Sequence, residues 1–277
     1  YLIKKQQTLG FELSTEQKKA VELINNGDKT LFLIGYAGTG KSTSSRAILE
    51  LLEETMSYDD IMTIALSGIA SQRISDTTGY NSSTIQSLLM KHKEKDFFPY
   101  KAILLDEASM VNSVTFYQII SKIADDTIFI IVGDDGQLPA IGAGNVLADA
   151  IKYELAPICK LTKIYRQNEN QAIAVIANDI RKGEVPAYKE EYEDFKFIDV
   201  SISNYYALKN SASSNEFADL RGENSEYILN NILNISAGYI EKYYEYIKKK
   251  KISKALTLFQ VITPMKAGIL GVDNLNI

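Results

Sequence analysis

The chain has 277 residues, with 30 Lys and Arg against 35 Asp and Glu for a formal net charge of −5, and 45% of it is hydrophobic. That make-up is the one of an ordinary globular protein and excludes disordered, collagenous and low-complexity classes. No apolar run approaches the ~20 residues of a membrane helix, and one Cys, one His and no Trp exclude a disulfide framework, a His-rich metal site and a Trp stacking platform, in keeping with a reducing cytoplasm.

In chain order, residues 15–25 place Ala20, Val21, Leu23 and Ile24 at helical spacing and stop at Asn26-Gly27. Residues 30–34 read as a buried strand ahead of a glycine turn, and 42–53 as the helix that follows. Buried strands are expected at 62–66, 102–105 and 128–132, with a helix at 116–123. Strands alternating with helices imply an α/β fold, a parallel sheet with helices on both faces. Polar groups at the carboxyl ends of the strands would then meet at one edge. Past Leu161 the character changes. A helix is expected at 172–180, a strand at 195–200, a polar loop at 201–224, a long helix at 227–251 and a strand at 257–263. The expected domains are 1–164 and 165–277. The sequence opens on Tyr1 and ends on Ile277, and reads as a piece of a longer protein.

Gly35-Tyr36-Ala37-Gly38-Thr39-Gly40-Lys41-Ser42 fits G-x-x-x-x-G-K-[ST] between a strand and a helix, the context that a phosphate-binding P-loop needs. Gly35, Gly38 and Gly40 let the backbone N–H groups of the loop, Thr39 included, curl round a β-phosphate at a helix N-terminus that also takes in Thr43. Lys41 would reach the β- and γ-phosphates of ATP and Ser42 would ligate Mg²⁺. Asp106-Glu107 ends the strand at 102–105. Asp106 would hold Mg²⁺ through water, and Glu107 would orient and deprotonate the attacking water. Gly133-Asp134-Asp135-Gly136-Gln137-Leu138-Pro139 ends another strand. Two readings stand there: a turn that uses Asp and Gly for its geometry, or a sensor in which Gln137 meets the γ-phosphate.

Together these residues resemble the RecD-like branch of superfamily 1 DNA helicases. Leu13-Ser14-Thr15-Glu16-Gln17 looks like that family's adenine-sensing segment with Gln17 as the reader, and Leu105 to Met110 like its Walker B motif. Gly133–Pro139 with Ala143–Asp149 looks like the third motif, and Leu161–Gln167 like the fourth, whose arginine, here Arg166, contacts the γ-phosphate. Val261 to Asn276, including Pro264 and Lys266, resembles a segment of the second motor domain. The resemblance implies a RecA-like P-loop domain and an incomplete second one with ATP and Mg²⁺ between them. It also implies a monomeric, cytoplasmic motor that moves 5′→3′ on single-stranded DNA and has nuclease–helicase complexes among its possible settings. The later family motifs, with their second arginine, are expected beyond Ile277, so the chain alone is expected to bind nucleotide and hydrolyse it poorly.

The sequence departs from that branch in places. Leu66-Ser67-Gly68-Ile69-Ala70-Ser71 stands where a basic residue follows the glycine, and looks more like the helicase half of conjugative relaxases. Gln86 stands where the family has His. Ser67, Gly68, Gln86, Pro264 and Lys266 are the DNA-contact candidates that the resemblance implies. Phe97-Phe98 is either the tip of a shortened strand-separating pin or a core pair. Lys248 to Lys251 behind Tyr239, Tyr243, Tyr244 and Tyr246 is either a solvated helix or a basic-aromatic strand contact. Cys159 is expected in the core and His92 at the surface. Besides a helicase motor and a relaxase helicase half, a P-loop ATP switch or clamp that does not unwind is a third reading.

Overall fold

The computed structural model describes residues 12–163, 172–185, 195, 214–250, 258, 261–263, 266, 270–271 and 275. Two compact units make up the chain, Tyr1–Phe195 and Lys196–Ile277.

The first unit is built on a six-stranded sheet. In chain order the strands are β1 (Thr30–Gly35), β2 (Ile61–Ala65), β3 (Ser82–Thr84), β4 (Ala102–Leu105), β5 (Ile128–Gly133) and β6 (Ile158–Leu161). They lie in the order β3-β2-β4-β5-β1-β6, and every pairing is parallel. The helices are α1 (Thr15–Asn25), α2 (Lys41–Glu53), α3 (Gly68–Thr78), α4 (Ile85–Lys91), α5 (Ser113–Ile120), α6 (Val146–Lys152) and α7 (Ala172–Lys182).

Side chains that alternate along the strands supply two cores, one on each face of the sheet. Leu31, Leu33, Leu104, Ile130 and Val132 face α1, α2 and α3, where Val21, Ile24, Ile48, Leu51 and Ile74 meet them. Phe32, Ile34, Ile103, Leu105 and Ile131 face α4, α5 and α6, where Leu88, Ile119, Leu147 and Ala150 meet them. Because both faces are covered, the central strands read as unbroken apolar runs. The architecture is that of a RecA-like P-loop fold.

Several expectations change. His92 is buried, edge-on to Phe98 and Tyr100 with ring centroids 6.0 and 5.8 Å apart. Its Lys-rich neighbours turn to water while the ring fills a gap under the second core. Phe98 is buried and Phe97 is 54% exposed, so the two do not form a core pair. Cys159 lies in the core, as expected. The helix expected at 116–123 begins three residues earlier, because Asn112 caps it by accepting from Thr115 N.

In the second unit, α8 spans Ser214–Lys248, so the polar stretch from 214 to 224 is helical where a loop was expected. Glu216, Ala218, Leu220, Arg221 and Glu223 are good helix formers, and a helix already nucleated downstream extends at little cost. Of the strand expected at 257–263, residue 258 is a turn and 261–263 are irregular. The expected strand at 195–200 lies outside the described residues except for an irregular Phe195.

Candidate nucleotide site

All-parallel pairing puts the carboxyl ends of the six strands at one edge, and the described candidate residues of the first unit lie at or beside it. β1 ends on Gly35 and the chain turns through 36–40 into α2. Gly38 and Gly40 take φ of 82° and 85°, the left-handed region that glycine enters without strain. Gly35 meets a different demand, since a Cβ there would stand 2.5 Å from Thr39 Oγ1 and 3.0 Å from Leu161 Cβ. The Thr39 hydroxyl donates to Tyr36 O at 2.8 Å and closes the loop.

Lys41 points back into that loop. Its Nζ donates to Gly35 O and, at 3.0 Å, to Tyr36 O. Burial pushes its pKa down, opposed by Asp134 and Asp106. The ammonium is thus held by carbonyls, partners that an anion would replace to advantage. Beside the loop lies a cavity of about 430 Å³ lined by Glu12, Gln17, Tyr36, Ala37, Gly38, Gly40, Lys41, Ser42, Thr43 and Arg73. That is the size class of a small-molecule site.

Gln17 is 2% exposed. Its Oε1 accepts from Ser14 N at 2.9 Å in a reciprocal cap of α1, and its Nε2 lies 3.5 Å from Gly40 O. The amide is therefore already shared between the helix cap and the phosphate loop. One residue earlier, the Glu16 carboxylate accepts from Thr162 N at 2.8 Å, from the Thr162 hydroxyl and from Lys163 N. Partial burial raises its pKa, but these hydrogen bonds outweigh that, and the net shift is downward. α1 is thereby tied to the exit of β6.

Asp106 and Glu107 follow β4. Burial raises the Asp106 pKa, opposed by the Glu107 N–H and by Lys41 and Arg73. Glu107 has φ 53° and ψ 40°, a left-handed backbone that costs a non-glycine residue about 1–3 kcal/mol. The strain turns the chain sharply at the end of the strand. Ser42 and Asp106 offer hydroxyl and carboxylate oxygens, the hard donors that Mg²⁺ takes. A buried carboxylate with a raised pKa is the kind of group that a divalent cation would compensate, so the residues fit that ion. Among the described residues no group of three or more His, Cys, Asp or Glu is placed to hold a metal.

After β5, Asp134 is 3% exposed and accepts from Gly136 N at 3.0 Å. Gln137 is exposed, with Nε2 3.4 Å from Asp134 Oδ2 and Oε1 3.5 Å from Ser109 Oγ. The turn reading therefore describes the backbone here, while the Gln137 side chain stays loosely held at the carboxyl edge.

Ser67 caps α3 by accepting from Ala70 N at 3.1 Å, and Gly68 opens that helix. Gln86 is exposed in the first turn of α4. β2 and β3 pair through Ala65 and Thr84, so these two helix starts leave neighbouring strands at the same edge. Ile69 is 83% exposed beside them. Lys266 is exposed in the second unit. Arg166 and Pro264 lie outside the described residues. Two arginines were missed in the sequence. Arg73 on α3 lines the cavity, and Arg181 on α7 stacks on Tyr36. Neither carries a local motif, because each arrives from a helix distant in sequence.

Residues 12–201 match the family described as AAA domain. Over 185 residues, 65% of this chain and 25% of the relative, the sequence is 30% identical to the ATP-dependent RecD2 DNA helicase of Deinococcus radiodurans. It is 24% identical to the RecBCD enzyme subunit RecD of Buchnera aphidicola, covering 93% of this chain and 49% of that one. It is 32% identical to a probable conjugal transfer protein TraA of Sinorhizobium fredii, covering 65% of this chain and 16% of that one. The chain thus spans half or less of the length of these relatives.

Proposed function

The chain belongs to the AAA domain family, and we propose that it is the ATP-hydrolysing motor core of a DNA helicase that moves 5′→3′ on single-stranded DNA. Residues 1–164 are read as its first motor domain and 165–277 as the start of a second RecA-like domain. One observation carries the reading: Lys41 sits in a glycine loop on a 430 Å³ cavity, at the same sheet edge as Asp106 and Glu107.

The residues divide the work by chemistry. The loop N–H groups and Lys41 bind the β- and γ-phosphates, and Lys41 exchanges two carbonyls for phosphate oxygens. Gln17, in the first turn of α1, meets the base. Ser42 and, through water, Asp106 would hold Mg²⁺, which would supply charge neutralisation on the phosphates. Glu107 accepts the proton of the attacking water, with its carboxylate aimed by the left-handed turn. Gln137 senses the γ-phosphate, and Arg166 adds positive charge to it. Ser67, Gly68, Gln86, Pro264 and Lys266 are the strand contacts of this reading. Closure of the second domain over the nucleotide would couple hydrolysis to stepping.

The similarity to the RecD2 helicase supports this function. The Ser67-Gly68-Ile69-Ala70 segment and the similarity to TraA support a second reading, the helicase portion of a conjugative relaxase. Steady-state ATP hydrolysis by the full-length protein, with and without single-stranded DNA and beside Lys41→Ala, tests the proposal. Strand-stimulated turnover lost in Lys41→Ala is the expected result. Nucleotide binding with no stimulated turnover would overturn the motor and favour an ATP switch.

A further inference from the structure

Arg181, near the end of α7, is placed between two parts of the site. Its guanidinium carbon lies 3.7 Å from the centroid of the Tyr36 ring, within the phosphate loop. Its Nη2 donates to both oxygens of Asp134, at 2.9 and 3.0 Å. The loop after β5 comes so close that a Cβ on Gly136 would stand 2.2 Å from Arg181 Nε. That Nε is enclosed and has no hydrogen-bond acceptor among the described residues. A guanidinium is planar and can stack and ion-pair at once, which a lysine cannot do.

We propose that Arg181 is a positioning residue that links occupancy of the phosphate loop to the placement of Gln137. The proposal rests on the reading of this site as an ATP site. Tyr36 O accepts from Lys41 Nζ, Thr39 N and Thr39 Oγ1. A phosphate that draws Lys41 away removes one of these three donors, so residue 36 is where the loop readjusts. The ring of the same residue lies under Arg181. Arg181 is tied to Asp134, and Asp134 is the acceptor for Gly136 N and the neighbour of Gln137 Nε2. Movement of the loop is therefore passed through Arg181 and Asp134 to Gln137. Asp134 is buried and ion-paired to Arg181, so breaking the pair carries a cost that stiffens the link.

The test uses the full-length protein. Arg181→Gln removes the charge, Arg181→Lys keeps the charge without the planar stack, and Gln137→Ala removes the dependent group. Kinetics of ATP hydrolysis and equilibrium binding of ADP are measured on each, beside thermal melts. Arg181→Gln is expected to lower kcat by about tenfold or more while the ADP Kd changes by less than about threefold, with Arg181→Lys in between. In the Gln137→Ala background, Arg181→Gln is expected to add little. An unchanged kcat, an additive double variant, or a kcat loss matched by the unfolded fraction would overturn the proposal.

A second readout does not need hydrolysis. Residues 1–277 contain no tryptophan, so Tyr36→Trp places an indole under Arg181 whose emission is read as the difference from the protein without that substitution. Arg181→Gln and Asp134→Asn should then shift its emission alike, and an emission indifferent to Asp134→Asn would sink the link. Wild-type protein as inert as Lys41→Ala would overturn the ATP-hydrolysis reading instead, while the emission still decides on Arg181.

Discussion

Replacing Gly35 by alanine tests the packing at the root of the phosphate loop. The new Cβ would stand 2.5 Å from Thr39 Oγ1, 3.0 Å from Leu161 Cβ and 3.1 Å from Leu161 O. Thr39 and Leu161 are each 1% exposed. The threonine could yield only by giving up its bond to Tyr36 O, and Leu161 sits in β6, paired in register with Gly35. Neither neighbour is the free end of a flexible side chain. Overpacking of this kind costs about 1–3 kcal/mol, and two rigid neighbours place the cost in the upper half of that range. For a unit of this size each kcal/mol is worth about 2–4 °C, so Gly35→Ala should lower the Tm by about 4–12 °C and weaken ADP binding. Gly68→Ala is the matched control. It opens α3 without a positive φ and with nothing within 4 Å of its Cβ, so it should be neutral or stabilising by up to about 1 kcal/mol. Circular-dichroism melts and equilibrium ADP binding read both. A Gly35→Ala protein that melts within about 1 °C of wild type would refute the packing argument.

Other perturbations act at single groups. Burial, helped by Lys95, Lys91 and Lys122, pushes the His92 pKa down. A depressed His pKa leaves stability intact above the ordinary value and removes it as pH falls through the folded value. His92→Phe should therefore flatten the loss of Tm between about pH 7 and pH 5, and parallel curves would count against it. Glu16 has its carboxyl pKa lowered, so its contribution is present above the ordinary carboxylate range and is lost as pH falls through the folded value. Glu16→Gln should lower the Tm at neutral pH and converge with wild type in acid; a constant offset would show the carboxylate charge to be irrelevant. Burial pushes the Cys159 thiol up to about 11, so a thiol reagent at neutral pH should label the native chain far more slowly than the chain in guanidinium. Equal rates would mean the core opens readily.

The parts of this fold that were legible in the sequence are those where one local force dominates. α1 was read to the residue because its apolar positions repeat every turn and Asn26-Gly27 stops it. β1, β2, β4 and β5 were read within a residue at each end, since a strand buried on both faces is a bare apolar run. β3 escaped because Ser82-Ser83-Thr84 has no apolar residue and is a strand only through pairing with β2. α3 escaped because Ser71, Gln72, Arg73 and Asp76 dilute its pattern, and only Ala70, Ile74 and their neighbours hold it down. β6 is held by β1 and α1 rather than by its own four residues. At the site, Gly35–Ser42 and Asp106-Glu107 were legible because phosphate chemistry demands adjacent residues. Arg181 meets Asp134 across 47 positions, and nothing local marks such a meeting.

The all-parallel register sorts the molecule into two ends with different freedoms. At the carboxyl end of the sheet, the loop after β1 lines the cavity and the residues after β4 and β5 stand at the same edge. The turns at the other end, near Gly27-Asp28, Ser57–Asp59 and Asp125-Asp126, hold surface contacts such as Lys29 Nζ on Asp125 O and Lys101 on Asp60. Those turns are handles. A cysteine introduced in one of them would be labelled ahead of Cys159, which is buried with its thiol pKa raised, and a dye or surface tether placed there would sit a full strand length from the nucleotide. The geometry thus offers a way to watch single molecules of this protein without touching the machinery being watched.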